Sequence, residues 1–153
     1  MKKESVVNGI LSVSVLSAVI LASLFFVDGK KWVGISFIVL GILHLLVLRF
    51  LGRSLQSVRP DLVFGMIDNG LLVIGALIGA DLAGVIGAVV GGSAANAMTD
   101  GFAGIFEGWT AEFLRKRKIK EQRTAVSAAI GKMAGCLFGA GIVLVVVWTL
   151  PLL

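Results

Sequence analysis

Residues 61–92, DLVFGMIDNGLLVIGALIGADLAGVIGAVVGG, decide the fold. Apolar and small residues continue to about position 108, whereas one helical crossing of a bilayer takes only about 20 residues. Asp81 is the single strong interruption, with no proline or polar loop beside it. A straight span over 61–108 would overshoot the hydrocarbon, so the sequence predicts a tight helical hairpin broken at Asp81. The same stretch carries Asp68 and Asn69 side by side, a carboxylate and an amide well inside an apolar run.

Working outward, the flanking sequence supplies three more apolar segments. The first, about 6–27, ends at the turn VDGKK; the second, about 32–51, leads into GRSLQSVRP, where Pro60 suits a helix start. The last, about 124–150, is stopped by Pro151. The expected fold is an all-α integral membrane protein of five transmembrane helices, about 6–27, 32–51, 61–80, 82–114 and 124–150. They form one membrane domain over residues 1–153, with tight Gly-rich packing of the third to fifth. The N-terminal apolar stretch is longer than a signal-peptide core and has no small-residue cleavage pattern after it, so it reads as a retained helix.

Composition points the same way. The chain is 58% hydrophobic and 15% charged, against about 45–50% apolar and about 25% charged in soluble domains; mean hydropathy is +1.01. Its 153 residues leave no room for a soluble catalytic domain beside four or five spans. One cysteine, Cys136, excludes an intrachain disulfide. A single histidine, His44, and the lack of a nucleophile–base pair argue against an enzyme. His44, mid-segment in GILHLLVLRF, is expected to bond to another helix rather than to a metal.

Charge orients the segments. Lys2, Lys3, Arg49, Arg53, Arg59, Arg115, Lys116, Arg117, Lys118, Lys120 and Arg123 fall on one side of the five-span arrangement, against Lys30 and Lys31 on the other. The positive-inside rule then places the N-terminus in the cytoplasm and the C-terminus outside, in an integral location such as a prokaryotic cell membrane. Trp32, Trp109 and Trp148 near segment ends suit an interfacial belt. The basic run RKRKIKEQR at 115–123 is a solvated face that also attracts anionic lipid; it has no interleaved aromatic residue for nucleic acid.

Small residues crowd the second half at spacings of four: Gly75 with Gly79, Gly87 with Gly91, Gly104 with Gly108, and Gly131 with Gly135 and Gly139. Lipid gives helices no hydrophobic push toward one another, so close backbone approach through small residues carries their association. These faces are expected to pack tightly, within the chain or across a dimer.

An ionisable group at the centre of a span costs about 2.5–3.5 kcal/mol on insertion scales, yet this chain has Asp68, Asp100, Glu107 and Lys132 there, with Asn69 and Asn96. Seven residues from Asp61 to Asp68 are about 10 Å of helix, and the eight-residue steps Glu107–Arg115 and Thr124–Lys132 are about 12 Å each. Those three charges therefore share one level, with Asp100 deeper. Asn96, Asp100 and Glu107 recur at four and seven, on one helix face; Thr99, Ala103 and Gly104 extend it.

A buried ion pair of Lys132 with Asp68 or Glu107 is the structural alternative, but one lysine leaves carboxylates over. Surplus acid inside a membrane marks a cation or proton path. Oxygen ligands from Asp68, Asn69, Asn96, Asp100 and Glu107 suit a divalent metal, with Lys132 as a tuning counter-charge. Met66, Met98 and Met133 are candidate soft ligands or, for most of them, gap fillers. No covalent cofactor is expected; a divalent metal would be a substrate.

The stretch DLVFGMIDNGLLVIGALIGADLAG resembles the first helix of the vacuolar iron transporter family, through Asp61, Gly65, Asp68, Gly70 and Leu71, with Asn69 inserted before Gly70. GGSAANAMTDGFAGIFEGW is similar to that family's second helix, with Thr99, Asp100, Gly101 and Gly104 in its small-residue run. The resemblance covers about residues 59–114. It implies a homodimeric exchanger of ferrous iron or manganese against protons, with ligands at the subunit interface and Asp68 as the family's aspartate. Asp100 stands where the family has a methionine, and Gly92 or Ser93 near a membrane glutamate. The family's glutamate-rich cytoplasmic domain has no counterpart, and two helices precede the match with one after it.

The residues thus point to a membrane transporter or binding protein for a divalent cation, with proton coupling as an option, whose partners are membrane lipid, the metal and further copies of itself. The alternative is a non-catalytic subunit packing into a larger membrane complex through its glycine faces. Topology is directly testable: a membrane-impermeant thiol reagent applied outside should label Leu153→Cys and leave Lys118→Cys unlabelled, and the reverse pattern would invert the arrangement.

Overall fold

The computed structural model describes residues 3–24, 29–116 and 124–150. The basic run from 117 to 123, Lys2, Pro151 and Leu153 lie outside the described residues, as do the side chains of Glu107 and Arg115. Four helices follow in order: α1 (Lys3–Leu24), α2 (Lys30–Phe50), α3 (Arg59–Lys116) and α4 (Ala125–Leu144). A 3-10 turn, Leu55–Val58, precedes α3, and a π-helical turn, Val145–Thr149, continues α4. No strand occurs among the described residues.

Where five transmembrane helices were expected, the described residues form four helices, three of them long and apolar enough to cross a membrane. The segments expected at 61–80 and 82–114 belong to one 58-residue helix, α3. Two helical arms meet in it at a kink, where the dihedrals leave the helical range at Ala83 (φ −147°, ψ 26°) and Gly84 (φ 60°, ψ −140°), rather than at Asp81. The positive φ at Gly84 lies where a Cβ would clash with its own backbone, so glycine permits the reversal. By length and composition, three stretches can cross a membrane: Lys30–Phe50, Arg59–Phe106 and Ala125–Thr149. In α1 the apolar stretch Ile10–Ser23 is shorter. The chain therefore has the apolar helices of a membrane protein.

α3 nonetheless folds back on itself. Residues eight apart on a straight helix stand about 12 Å apart, yet a Cβ built on Gly79 or Gly87 would land on the other's carbonyl oxygen. One on Gly75 would lie 2.5 Å from the Gly91 carbonyl oxygen. The two arms of α3 are thus in backbone contact along the Gly75/Gly79 and Gly87/Gly91 faces. The reversal returns Lys116 to the end of the molecule where Arg59 begins.

The first arm of α3 also packs on α4, in the most extensive interface of the fold. Here Gly131, Gly135 and Gly139 form the seam: a Cβ on Gly135 would strike the Leu62 carbonyl oxygen, and one on Gly139 that of Met66. From the other side, a Cβ on Gly65 would sit 2.6 Å from the Lys132 carbonyl oxygen. α2 runs antiparallel to α4 on a neighbouring face, where a Cβ on Gly34 would lie 2.6 Å from Val145 N and one on Gly41 2.9 Å from Phe138. Gly104 and Gly108, expected to pack likewise, meet nothing within 4 Å; their face is open.

Local chemistry sets the helix ends. Thr124 caps α4 in a reciprocal box, its Oγ1 accepting from Ser127 N at 3.2 Å while its own N–H donates to Ser127 Oγ at 3.0 Å. Ser54 Oγ accepts from Gln56 N at 3.2 Å at the start of the 3-10 turn. At the other end Thr149 Oγ1 donates to the Lys31 carbonyl at 2.7 Å, tying α4 to the start of α2 and bringing Trp32 and Trp148 to the same end. Leu16, Leu48, Val58, Val126 and Ile130 form a buried cluster from α1, α2, α4 and the 3-10 turn, with Val47 and Met133 against it.

Gly87→Leu and Gly91→Leu should each be strongly destabilising, since overpacking a filled contact costs about 1–3 kcal/mol or more. Gly104→Ala should leave the melting temperature of the detergent-solubilised monomer unchanged. Equal melting of all three variants and the parent would remove the backbone contact as the basis of the fold.

Candidate functional site

The hairpin of α3 creates the polar site. Asp68 on the first arm and Thr99 on the second are 31 residues apart, and only the reversal brings them together. Asp68 is buried, 8% exposed, and Thr99 7%. The Thr99 hydroxyl donates to Asp68 Oδ1; it also lies 2.9 Å from the Asn96 carbonyl oxygen and 3.2 Å from that of Ala95. One hydroxyl proton thus faces a carboxylate and two main-chain carbonyls. Four oxygens gather at this point, in a span otherwise lined by Gly, Ala, Val, Leu and Ile.

Asn96 and Asp100 follow on the second arm, one turn apart. Asn96 Nδ2 donates to Asp100 Oδ2 at 2.9 Å. The expected shared face of these two is present, but it looks outward: Asp100 is exposed and Asn96 half-buried. Asp68 and Asp100 therefore stand on opposite sides of Thr99, one inside the hairpin and one on its surface. Asn69 is half-buried beside Asp68. The backbone at Glu107 is helical, while its side chain lies outside the described residues.

α4 contributes the third wall. Lys132 is half-buried, and its Nζ sits 5.1 Å from the centre of the Phe64 ring, a cation–π distance. Phe64 is one turn before Asp68 on the same arm. Cys136, one turn beyond Lys132, is a half-buried free thiol. Side chains from the first arm of α3 and from α4 thus meet at this wall.

Two of the candidate soft ligands lie elsewhere: Met98 is 66% exposed, and Met133 packs against the buried cluster. Among the described residues no three His, Cys, Asp or Glu side chains converge on one point. His44 is fully buried, and its Nδ1–H donates to the Leu40 carbonyl at 2.7 Å. That bond lies within α2, correcting the expected bond to another helix.

Sequence spacing singled out Asp68 and Asp100 but missed two partners. Thr99 enters the site only because the hairpin register sets it opposite Asp68. Phe64, apolar among apolar residues, carries no sequence signal for a cation contact.

Comparison with protein families, with curated proteins and with solved structures finds no match for the chain. The pairing at the centre of the site has its own test. Thr99→Val removes the hydroxyl at constant shape and leaves a buried carboxylate oxygen unbonded, which costs about 1–3 kcal/mol. Thr99→Ser should retain most of the stability. Thermal unfolding in detergent reads both; a Thr99→Val protein as stable as the parent would show that the bond contributes nothing.

Proposed function

We propose that this chain is a membrane transporter or binding protein for a divalent metal cation of the iron or manganese type, coupled to protons and acting as a homodimer. The observation that carries the reading is the buried Asp68 carboxylate, held between the arms of α3 by Thr99. With the Asn96 and Ala95 carbonyls close by and Asp100 on the adjoining face, the donors are oxygens. Carboxylate, hydroxyl and carbonyl oxygens suit hard cations, manganese among them. A carboxylate buried without such a role carries a cost that a purely apolar contact would avoid. The resemblance to vacuolar iron transporters rests on the same residues and supports the same ion class. The charge distribution supports a cytoplasmic N-terminus.

The homodimer is supported by the open second arm. Val85, Val89, Phe102 and Phe106 are all more than 60% exposed, and on that surface lie Asp100 and the uncovered Gly104 and Gly108. A carboxylate facing lipid costs about 2.5–3.5 kcal/mol on insertion scales, and a second protein surface would relieve it. The same observation favours the second reading, a non-catalytic subunit in which another protein covers this face.

Titration of the detergent-solubilised protein with Mn2+ and Fe2+ separates the two. The transport reading expects binding by the parent, at least a tenfold loss in Asp68→Asn and in Asp100→Asn, and retained melting temperatures. It also expects a native mass of twice the 16.0 kDa chain, reduced by Gly104→Leu. No metal binding by the parent, together with a higher melting temperature in Asp100→Asn, would overturn transport in favour of the subunit.

A further inference from the structure

The connection between α2 and α3 is short and anchored at both ends. Leu48, in the last turn of α2, and Val58, at the end of the 3-10 turn, are 0% and 1% exposed. Both belong to the same buried apolar cluster. Between them the backbone is fixed by its own bonds. Gly52 N donates to the Arg49 carbonyl at 3.0 Å, and Arg53 N to the Leu48 carbonyl at 3.2 Å. This pair of bonds closes a helix around a left-handed glycine, and Gly52 has a φ of 69°. Ser54 then caps the 3-10 turn.

This fixed corner presents two kinds of side chain outward. Arg49, Arg53 and Arg59 are exposed. Phe50, 88% exposed, stands among them with the exposed Leu51 and Leu55. The carboxylate nearest in sequence, Asp61, is buried. On the second arm of α3 Glu112 is exposed, and so is Lys116 one turn later, so that pair adds no net charge.

The hairpin register gives the level of the corner. Gly79 with Gly87, Gly75 with Gly91 and Asp68 with Thr99 align the two arms. Carried to the end of the hairpin, that alignment sets Trp109 at about the level of Arg59. Trp109 is 65% exposed, and outward tryptophans of membrane helices sit among the lipid headgroups. The arginines are then at the depth of lipid phosphates. A guanidinium fork matches phosphate oxygens bidentately, while exposed apolar side chains beside it favour the acyl boundary. A small soluble anion would leave Phe50 in water. A neutral headgroup would leave the positive charge of the corner uncompensated.

We infer that the α2–α3 corner is a binding surface for anionic phospholipids, with Arg49, Arg53 and Arg59 on the headgroup phosphates and Phe50, Leu51 and Leu55 against the acyl chains. Through Leu48 and Val58 it ties the buried cluster to one leaflet. The inference is independent of any cation at Asp68.

The test is titration of the full chain, in micelles of detergent and phosphatidylcholine, with phosphatidylglycerol, read as lipid retained in native mass spectrometry. The parent should bind phosphatidylglycerol at least tenfold more tightly than phosphatidylcholine. A basic residue near an anionic lipid surface contributes about fivefold in affinity. Arg53→Gln with Arg59→Gln should therefore weaken phosphatidylglycerol binding at least tenfold, with the melting temperature in phosphatidylcholine unchanged. Each single variant should lose about fivefold, and carries the test if the pair fails to fold. Phe50→Ser should weaken binding of both lipids several-fold. Lys30→Gln with Lys31→Gln, at the other end of α2, should stay within twofold of the parent. Equal binding of the two lipids by the parent would overturn the inference, and so would equal losses from the arginine and lysine pairs, since the arginines then serve only to orient the chain. Displacement of phosphatidylglycerol by an equal concentration of inorganic phosphate would overturn it as well, because the corner would then be a site for a free anion.

Discussion

Backbone-to-backbone contact through glycine is the constraint on which the rest of this structure depends. In lipid, apolar side chains gain nothing by leaving their surroundings, so helices associate through dispersion and close main-chain approach. Gly79 against Gly87 and Gly75 against Gly91 close the hairpin of α3. Gly65 with Gly131, Gly135 and Gly139 then joins its first arm to α4. At all of these but Gly131 a methyl group would meet a carbonyl oxygen or a backbone nitrogen, and at Gly131 it would meet the Val58 side chain at 2.9 Å. The reversal itself occupies two residues, Ala83 and Gly84. That reversal turns an apolar stretch long enough for two crossings back on itself.

The polar site is a consequence of that closure. Asp68 and Thr99 lie more than thirty residues apart, and their hydrogen bond exists because the glycine contacts fix the register of the two arms. The α3–α4 seam in turn fixes Lys132 beside Phe64. Close packing therefore does double duty: it holds the fold, and it brings a carboxylate, a hydroxyl and two carbonyls together in surroundings of low polarity. There electrostatic interactions are stronger than in water.

The molecule has two unlike sides. α1, α2, the 3-10 turn and α4 enclose a buried apolar cluster. The second arm of α3 leaves its outer face bare, with Asp100 and Asn96 among exposed apolar residues. That surface carries a carboxylate and uncovered glycines together. The inner carboxylate and the outer one flank Thr99.

Composition and hydropathy by themselves determined that the chain is helical and apolar enough for a membrane, because the length of an apolar run is a local property. Spacings of four among glycines gave the contact faces at 75/79, 87/91 and 131/135/139, since helical periodicity is also local. The pair 104/108 has the same spacing and meets nothing within 4 Å in the chain; small residues permit close approach but do not compel it. Local sequence likewise suggested a separate fourth helix, about 82–114, with the break at Asp81, whereas the interruption falls at Ala83–Gly84 within one element. A charge marks a place that hydrocarbon disfavours, but the turn goes where the backbone can adopt a positive φ. Tertiary structure alone decided that Asp68 faces inward to Thr99 while Asp100 faces outward, and that Lys132 rests on Phe64. Those outcomes depend on the rotation of one arm about another, which is set by the sum of many backbone contacts and is written in no single motif.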